Sequence, residues 1–220
     1  MFAAICRIQW KASVTALALL AALGFMVPLL TVQQAGFSAG DRRGWDLIGM
    51  LSTVEATGTL FPVLAVILGL TLAVGAWSAD HQGDHVYALT LPVPRWHYVL
   101  LRFGAGLLLI VPVAVAVGAG CAVALGSLDL PTGLRTYGGA VTLRFALAAT
   151  VSYAATFALA SGTKRTAATV LAVLVALIAL ALILDSFGVS PAFVERVVNA
   201  VFARPGPFEV LVGPWAVIGV

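Results

Sequence analysis

Charge is the scarcest property of this chain. Only 10% of its 220 residues are Asp, Glu, Lys or Arg, against roughly 25% in soluble domains. With 61% hydrophobic residues and a mean hydropathy of +1.07, a water-soluble fold is excluded. The net charge of +3 comes without a basic cluster, so no nucleic-acid surface is expected. Two cysteines, Cys6 and Cys121, lack metal-ligand spacing, which argues against a disulfide framework or a zinc site. Neither a His-Glu-x-x-His run nor a Walker A run occurs. The spans hold no paired carboxylates and no nucleophile–base set, so the chain is not expected to be an enzyme or to hydrolyse ATP itself.

What the chain has instead is long apolar runs. Met1–Ala12 is amphipathic, with Arg7 and Lys11 one turn apart and Trp10 beside them; this predicts a helix lying in the membrane interface, the alternative being a flanking turn of the first span. Ser13–Val32 follows as a first span, too long and without the cleavage site of a signal peptide. Trp45, Leu47, Ile48 and Leu51 recur at helical spacing and predict a second short interfacial helix. Further spans are expected over about 57–77, 96–125, 144–161 and 166–184. Residues 208–220 start a sixth that stops after about 20 Å as a helix, short of a hydrocarbon core of roughly 30 Å; the reading adopted is that the natural chain runs further. Three small-residue stripes at four-residue spacing predict close helix packing: Ala65-Gly69-Ala73, Ala114-Gly118-Ala122-Gly126 and Ala148-Ser152-Thr156-Ala160. Between the fifth and sixth spans, Phe187–Phe202 reads as one or two amphipathic helices opened by Ser190-Pro191. The expected fold is thus an all-α polytopic membrane protein forming a single transmembrane domain.

Two charged residues, Glu55 and Arg144, fall at span edges. They read as boundary residues that snorkel, or as charges on a pathway through the membrane. His97 reads as interfacial.

The one extended polar run with ordered features in the first half is Asp80–Phe103, DHQGDHVYALTLPVPRWHYVLLRF. Asp80–Leu91 can form a short helix, which Pro92 and Pro94 stop. His81 and His85 stand one turn apart, as do Asp80 and Asp84. Such a His pair can share a metal, but Gly83 weakens the helix and no third ligand is near in sequence, so the solvated reading is adopted and no metal is expected.

This run resembles the cytoplasmic loop of type-2 ABC exporter permeases. The resemblance rests on Gly83, Leu89, Leu91, Pro92, Pro94, Arg95 and Arg102: a Gly-centred polar segment, a leucine-rich turn, a Pro-hydrophobic-Pro-Arg step, then a span that opens with a basic residue. Residues Asp80–His85 depart from the family, which often carries Glu/Arg-rich residues and a Gly-Thr pair there. The expected amphipathic helices before the last span are a second point of likeness. The resemblance implies that Asp80, His81, Gly83, Asp84, His85, Tyr87, Leu89, Leu91, Pro92 and Arg95 form a coupling helix contacting a separate cassette ATPase. ATP and Mg would be bound by that partner, with no cofactor in this chain. It further implies a second permease chain, identical or related.

With the N-terminus inside, Arg7, Lys11, Arg95, Arg102, Lys164 and Arg165 lie on inner segments, and Arg42, Arg43, Arg135, Arg144, Arg196 and Arg204 on outer ones. This even division leaves the positive-inside rule without a preference, so a cytoplasmic N-terminus follows from the resemblance alone. Arginine outnumbers lysine ten to two, a bias suggesting high-GC bacterial coding, hence a bacterial inner membrane. The nearly uncharged spans suit an apolar or amphipathic cargo. The rival readings are a non-transporting assembly subunit, a membrane-embedded enzyme and a secondary transporter, the last without a visible inverted repeat.

Overall fold

A computed structural model describes residues 1–34, 47–82, 94–126, 134–162, 164–186, 196, 199–203 and 206–219. Its helices are α1 (Phe2–Gln34), α2 (Leu47–Gly58), α3 (Leu60–Gln82), α4 (Arg95–Gly126), α5 (Gly138–Ala160) and α6 (Lys164–Ser186). Four stretches are long and apolar enough to cross a membrane: Phe2–Gln34, Ser52–Ser78, Trp96–Gly126 and Gly138–Ala160. α6 covers the expected fifth span.

Several boundaries differ from those the sequence suggests. Residues 1–12 do not form a separate interfacial helix. They continue into the first span as one 33-residue helix, because no Gly or Pro separates Ala12 from Val14. Gln9 and Ser13 are buried in the bundle, so this end packs inward. The second span divides at Thr59. Pro62 cannot donate to the carbonyl four residues back, so α2 ends at Gly58 and Pro62 is accommodated in the first turn of α3. α5 starts six residues before Arg144, which places that arginine inside a helix. Residues 208–219 are not a helical span: a 3-10 turn, Glu209–Leu211, leads to an extended stretch. Pro207, Gly213 and Pro214 are too closely spaced for an α-helix to run through them. The expected amphipathic helices before it lie mostly outside the described residues; only 196 and 199–202 are seen, and they are helical.

α1, α3, α4 and α5 run alternately up and down. α1 packs most extensively on α4, and α3 on α5, with α4 against α5 closing the set. α6 touches α5. The core mixes aliphatic and aromatic side chains, around Leu68, Val113, Val117, Phe145 and Tyr153. Yet the outer faces are just as apolar: Leu19, Ile67, Leu108, Val115 and Leu143 are all exposed. Helices apolar all round belong in lipid, not against water.

Without a hydrophobic force between helices in lipid, small residues decide how close backbones come. The stripes on α3 and α5 meet. A Cβ on Gly69 would fall 2.6 Å from the Tyr153 backbone nitrogen, and Thr156 Oγ1 donates to the Gly69 carbonyl at 3.3 Å. Only part of the α4 stripe behaves this way: a Cβ on Gly118 would lie 3.2 Å from the Thr142 methyl on α5. Ala122 and Gly126 are exposed, and Gly126 has nothing near its Cβ position. Close approach of α4 to α1 falls instead at Gly120, against the Phe25 backbone. Four-residue spacing marks a stripe but not which side of the helix faces a neighbour.

Candidate functional site

The start of α1, the end of α3, the start of α4 and the end of α5 converge at one end of the bundle, the end from which the Asp80–Leu91 segment leaves. Arg102 is buried there, 7% exposed. Its guanidinium lies over the Trp77 ring at 5.1 Å and the Tyr98 ring at 4.8 Å. Such contacts gain strength when desolvated, about 2 kcal/mol or more each. The Arg102 backbone carbonyl accepts from Gln9 Nε2 and from the Tyr153 hydroxyl, both at 3.4 Å. Phe103 stacks on Tyr153 at 5.3 Å, and Trp77 leans on Phe157 at 5.3 Å. Gly106 leaves the space the Tyr153 ring fills. Arg102 therefore joins all four helices at a single point. Gln9 Oε1, Trp77 Nε1 and Ser152 Oγ are buried without a hydrogen-bond partner.

Of the expected coupling residues, Asp80 and His81 belong to the last turn of α3, and Arg95 opens α4. Gly83, Asp84, His85, Tyr87, Leu89, Leu91 and Pro92 lie outside the described residues. So does the His81–His85 pairing, and no group of three metal-ligating side chains occurs among the described residues. His97 is exposed and stacks on Trp96 at 5.4 Å. Glu55 is exposed on α2. The run Gly36-Phe37-Ser38-Ala39-Gly40 spells Gly-x-Ser-x-Gly. A nucleophile elbow needs a strand leading in and a helix leading out; this run follows helix α1 and lies outside the described residues.

The opposite end has its own arginine. From within α5, Arg144 donates through Nε to the Val210 carbonyl at 3.0 Å and through Nη1 to the Pro214 carbonyl at 2.6 Å. Nη2 donates to the Val212 carbonyl. The guanidinium also lies 4.7 Å from the Trp215 ring centre. Gly213, with φ of +101°, turns the backbone tightly around it; a Cβ there would sit 3.2 Å from Nη2. Trp215 is buried and stacks on Phe61 at 6.2 Å. The Tyr137 amide donates to the Val217 carbonyl at 2.8 Å, and Arg135–Thr136 pairs antiparallel with Ile218–Gly219. The segment after Gly206 is thus seated across this end by Arg144. Arg144 is neither a bare boundary charge nor a free charge on a pathway. The signal that could have revealed this was the run of turn-forming residues around Gly213, whose carbonyls need donors.

No family model matches the chain, and no curated protein or solved structure matches it either.

Proposed function

We propose that this chain is the transmembrane permease subunit of an ATP-binding-cassette exporter. A separate cassette ATPase would dock on the Asp80–Leu91 segment, and two permease chains would pair in a bacterial inner membrane with their N-termini in the cytoplasm. Hydrolysis of ATP in the partner would move the segment and, with it, the spans, exporting an apolar or amphipathic substrate.

One observation carries this reading beyond the sequence resemblance. The helix ends flanking the segment are clasped to each other: Trp77 on α3 against Arg102 on α4, 5.1 Å apart. Gln9 and Tyr153 tie the same point to α1 and α5. A displacement applied between residues 82 and 95 would reach four helices together instead of dissipating in one loop. That is the mechanical property a coupling element requires.

The test is a mild-detergent pull-down of the tagged chain from its native membrane. A stoichiometric cassette ATPase is expected from the wild type, and its loss from the Leu89→Asp, Leu91→Asp double variant while membrane insertion persists. An ATPase retained by that variant would remove the docking role of the segment. No ATPase with the wild type would move the reading to an assembly subunit.

A further inference from the structure

Two polar atoms in the cluster around Arg102 are buried with no hydrogen-bond partner among the described residues: the acceptor Gln9 Oε1 and the donor Trp77 Nε1. Their residues are 5% and 4% exposed. Buried polar groups are nearly always paired, so an exception needs a physical account. The closed packing does not pair these two by itself. Gln9 donates from Nε2 to the Arg102 carbonyl; turning the amide over would set Oε1 against that carbonyl. The Trp77 ring is held between the Arg102 guanidinium, 5.1 Å from its centre, and the Phe157 ring at 5.3 Å. A third such atom, Ser152 Oγ, differs, because a helical serine can rotate to bond the carbonyl four residues back.

Water is close by. α1 and α4 have 33 and 32 residues, about 50 Å at 1.5 Å per residue, against a hydrocarbon core of roughly 30 Å. Shared between two ends, the excess is about 10 Å at each. Gln9 and Arg102 each stand seven residues, about 10 Å, from the start of their helix, at that boundary. What closes the site is the approach of α1 to α3. Gln9 and Ser13 lie one turn apart on the same face of α1, and a Cβ on Gly75 of α3 would fall 3.1 Å from Ser13 Oγ. We propose that this end of the bundle is a two-state joint that takes up water. In the closed state the start of α1 packs on α3 and α4, and both atoms go unpaired. In the open state α1 parts from them, and water accepts from Trp77 Nε1 and donates to Gln9 Oε1. The unpaired atoms make opening easier at this end, while the contacts of Arg102 with Trp77 and Tyr98 keep the closed state dominant. The joint does not depend on the permease reading, and its test needs no ATPase.

Hydrogen–deuterium exchange of the purified full chain in lipid nanodiscs, read by mass spectrometry, reports the open population. Gln9→Met and Trp77→Phe remove the two unpaired atoms and keep apolar bulk beside Arg102. The bond to the Arg102 carbonyl that Gln9→Met also removes is long, 3.4 Å, so its loss weighs little. Together the two changes should slow exchange of the amides over 72–80 and 98–106 by about tenfold, and Gln9→Met alone by about threefold, since a buried unpaired group disfavours the state that holds it. Exchange over 206–219, at the other end, should stay as in the wild type. Loss of a stabilising contact would give the opposite sign. Unchanged or faster exchange over 72–80 in Gln9→Met would overturn the proposal, and so would a wild type with no measurable exchange there. Gln9→Met is nearly isosteric, so the test stands even if the Trp77→Phe chain fails to fold.

Discussion

The contact between α3 and α5 can be tested by adding one methyl group. Gly69→Ala places a Cβ 2.6 Å from the Tyr153 nitrogen and 2.8 Å from the Ser152 carbonyl carbon. Both are backbone atoms, so no side chain can swing aside and the helices must separate. Overpacking of this kind costs about 1–3 kcal/mol. Separation also lengthens the Thr156–Gly69 hydrogen bond, already 3.3 Å, and such bonds contribute about 0.6 kcal/mol in membranes. Alanine returns up to about 1 kcal/mol of helix propensity over glycine. The net loss is about 1–3 kcal/mol, roughly 5- to 150-fold in the folding equilibrium.

The control is Gly126→Ala, where nothing lies within 4 Å of the new atom. The same chemistry there should be neutral or slightly stabilising. SDS titration in mixed micelles, followed by tryptophan fluorescence, compares the two. Ser152→Gly in the Gly69→Ala background should rescue only partly, since the backbone clash remains. If Gly69→Ala and Gly126→Ala unfold within about 0.5 kcal/mol of each other, the backbones do not approach as described and the packing argument fails.

Arg102→Met keeps the aliphatic stem but removes the cation between Trp77 and Tyr98. It should destabilise the chain by about 2–4 kcal/mol in the same assay; a loss below 0.5 kcal/mol would deny Arg102 its central place. Gly213→Ala forces a side chain into a backbone with φ of +101°, at about 1–3 kcal/mol, and presses on Arg144. Limited chymotrypsin digestion should then nick the chain after Phe208 about 5- to 150-fold faster, with α1–α5 intact; an unchanged rate would show that the loop is not held as described.

How much of this was legible beforehand varied by element. Four of the spans were, because each carries some twenty apolar residues, and in lipid a single run of that kind satisfies its own backbone only as a helix. The stripes on α3 and α5 were, because both sides of one contact happen to share the four-residue spacing. Gly120 was not, because it falls off its helix's stripe and its partner is the Phe25 backbone, which has no sequence signature. The start of α5 was not, because the expected span over 144–161 began at Arg144, whereas the helix begins at Gly138, where Tyr137 and Val217 anchor the first turn. The stretch after residue 208 read as a span from composition; its prolines and Gly213 set its shape, and Arg144, 66 or more positions earlier in the chain, completes it. Arg102 was picked out only as a family position, since nothing local predicts rings from two other turns closing over it.

The two arginines sit at opposite ends of the bundle, and their energies should be independent. Arg102 meets the Tyr153 hydroxyl through its carbonyl, while Arg144 lies nine residues earlier on the same helix, about 13 Å along its axis. Sites further apart than about 7–10 Å with no shared partner add within about 0.5 kcal/mol. Arg144→Met removes three hydrogen bonds and the Trp215 contact, so each single variant has a large effect against which additivity can be judged. The double-mutant cycle with Arg102→Met should therefore close to within about 0.5 kcal/mol in the resting chain. A coupling energy above about 1 kcal/mol would refute that independence. It would mean that the core between Tyr153 and Arg144 shifts as a body when either end loosens, because no direct contact spans that length of α5.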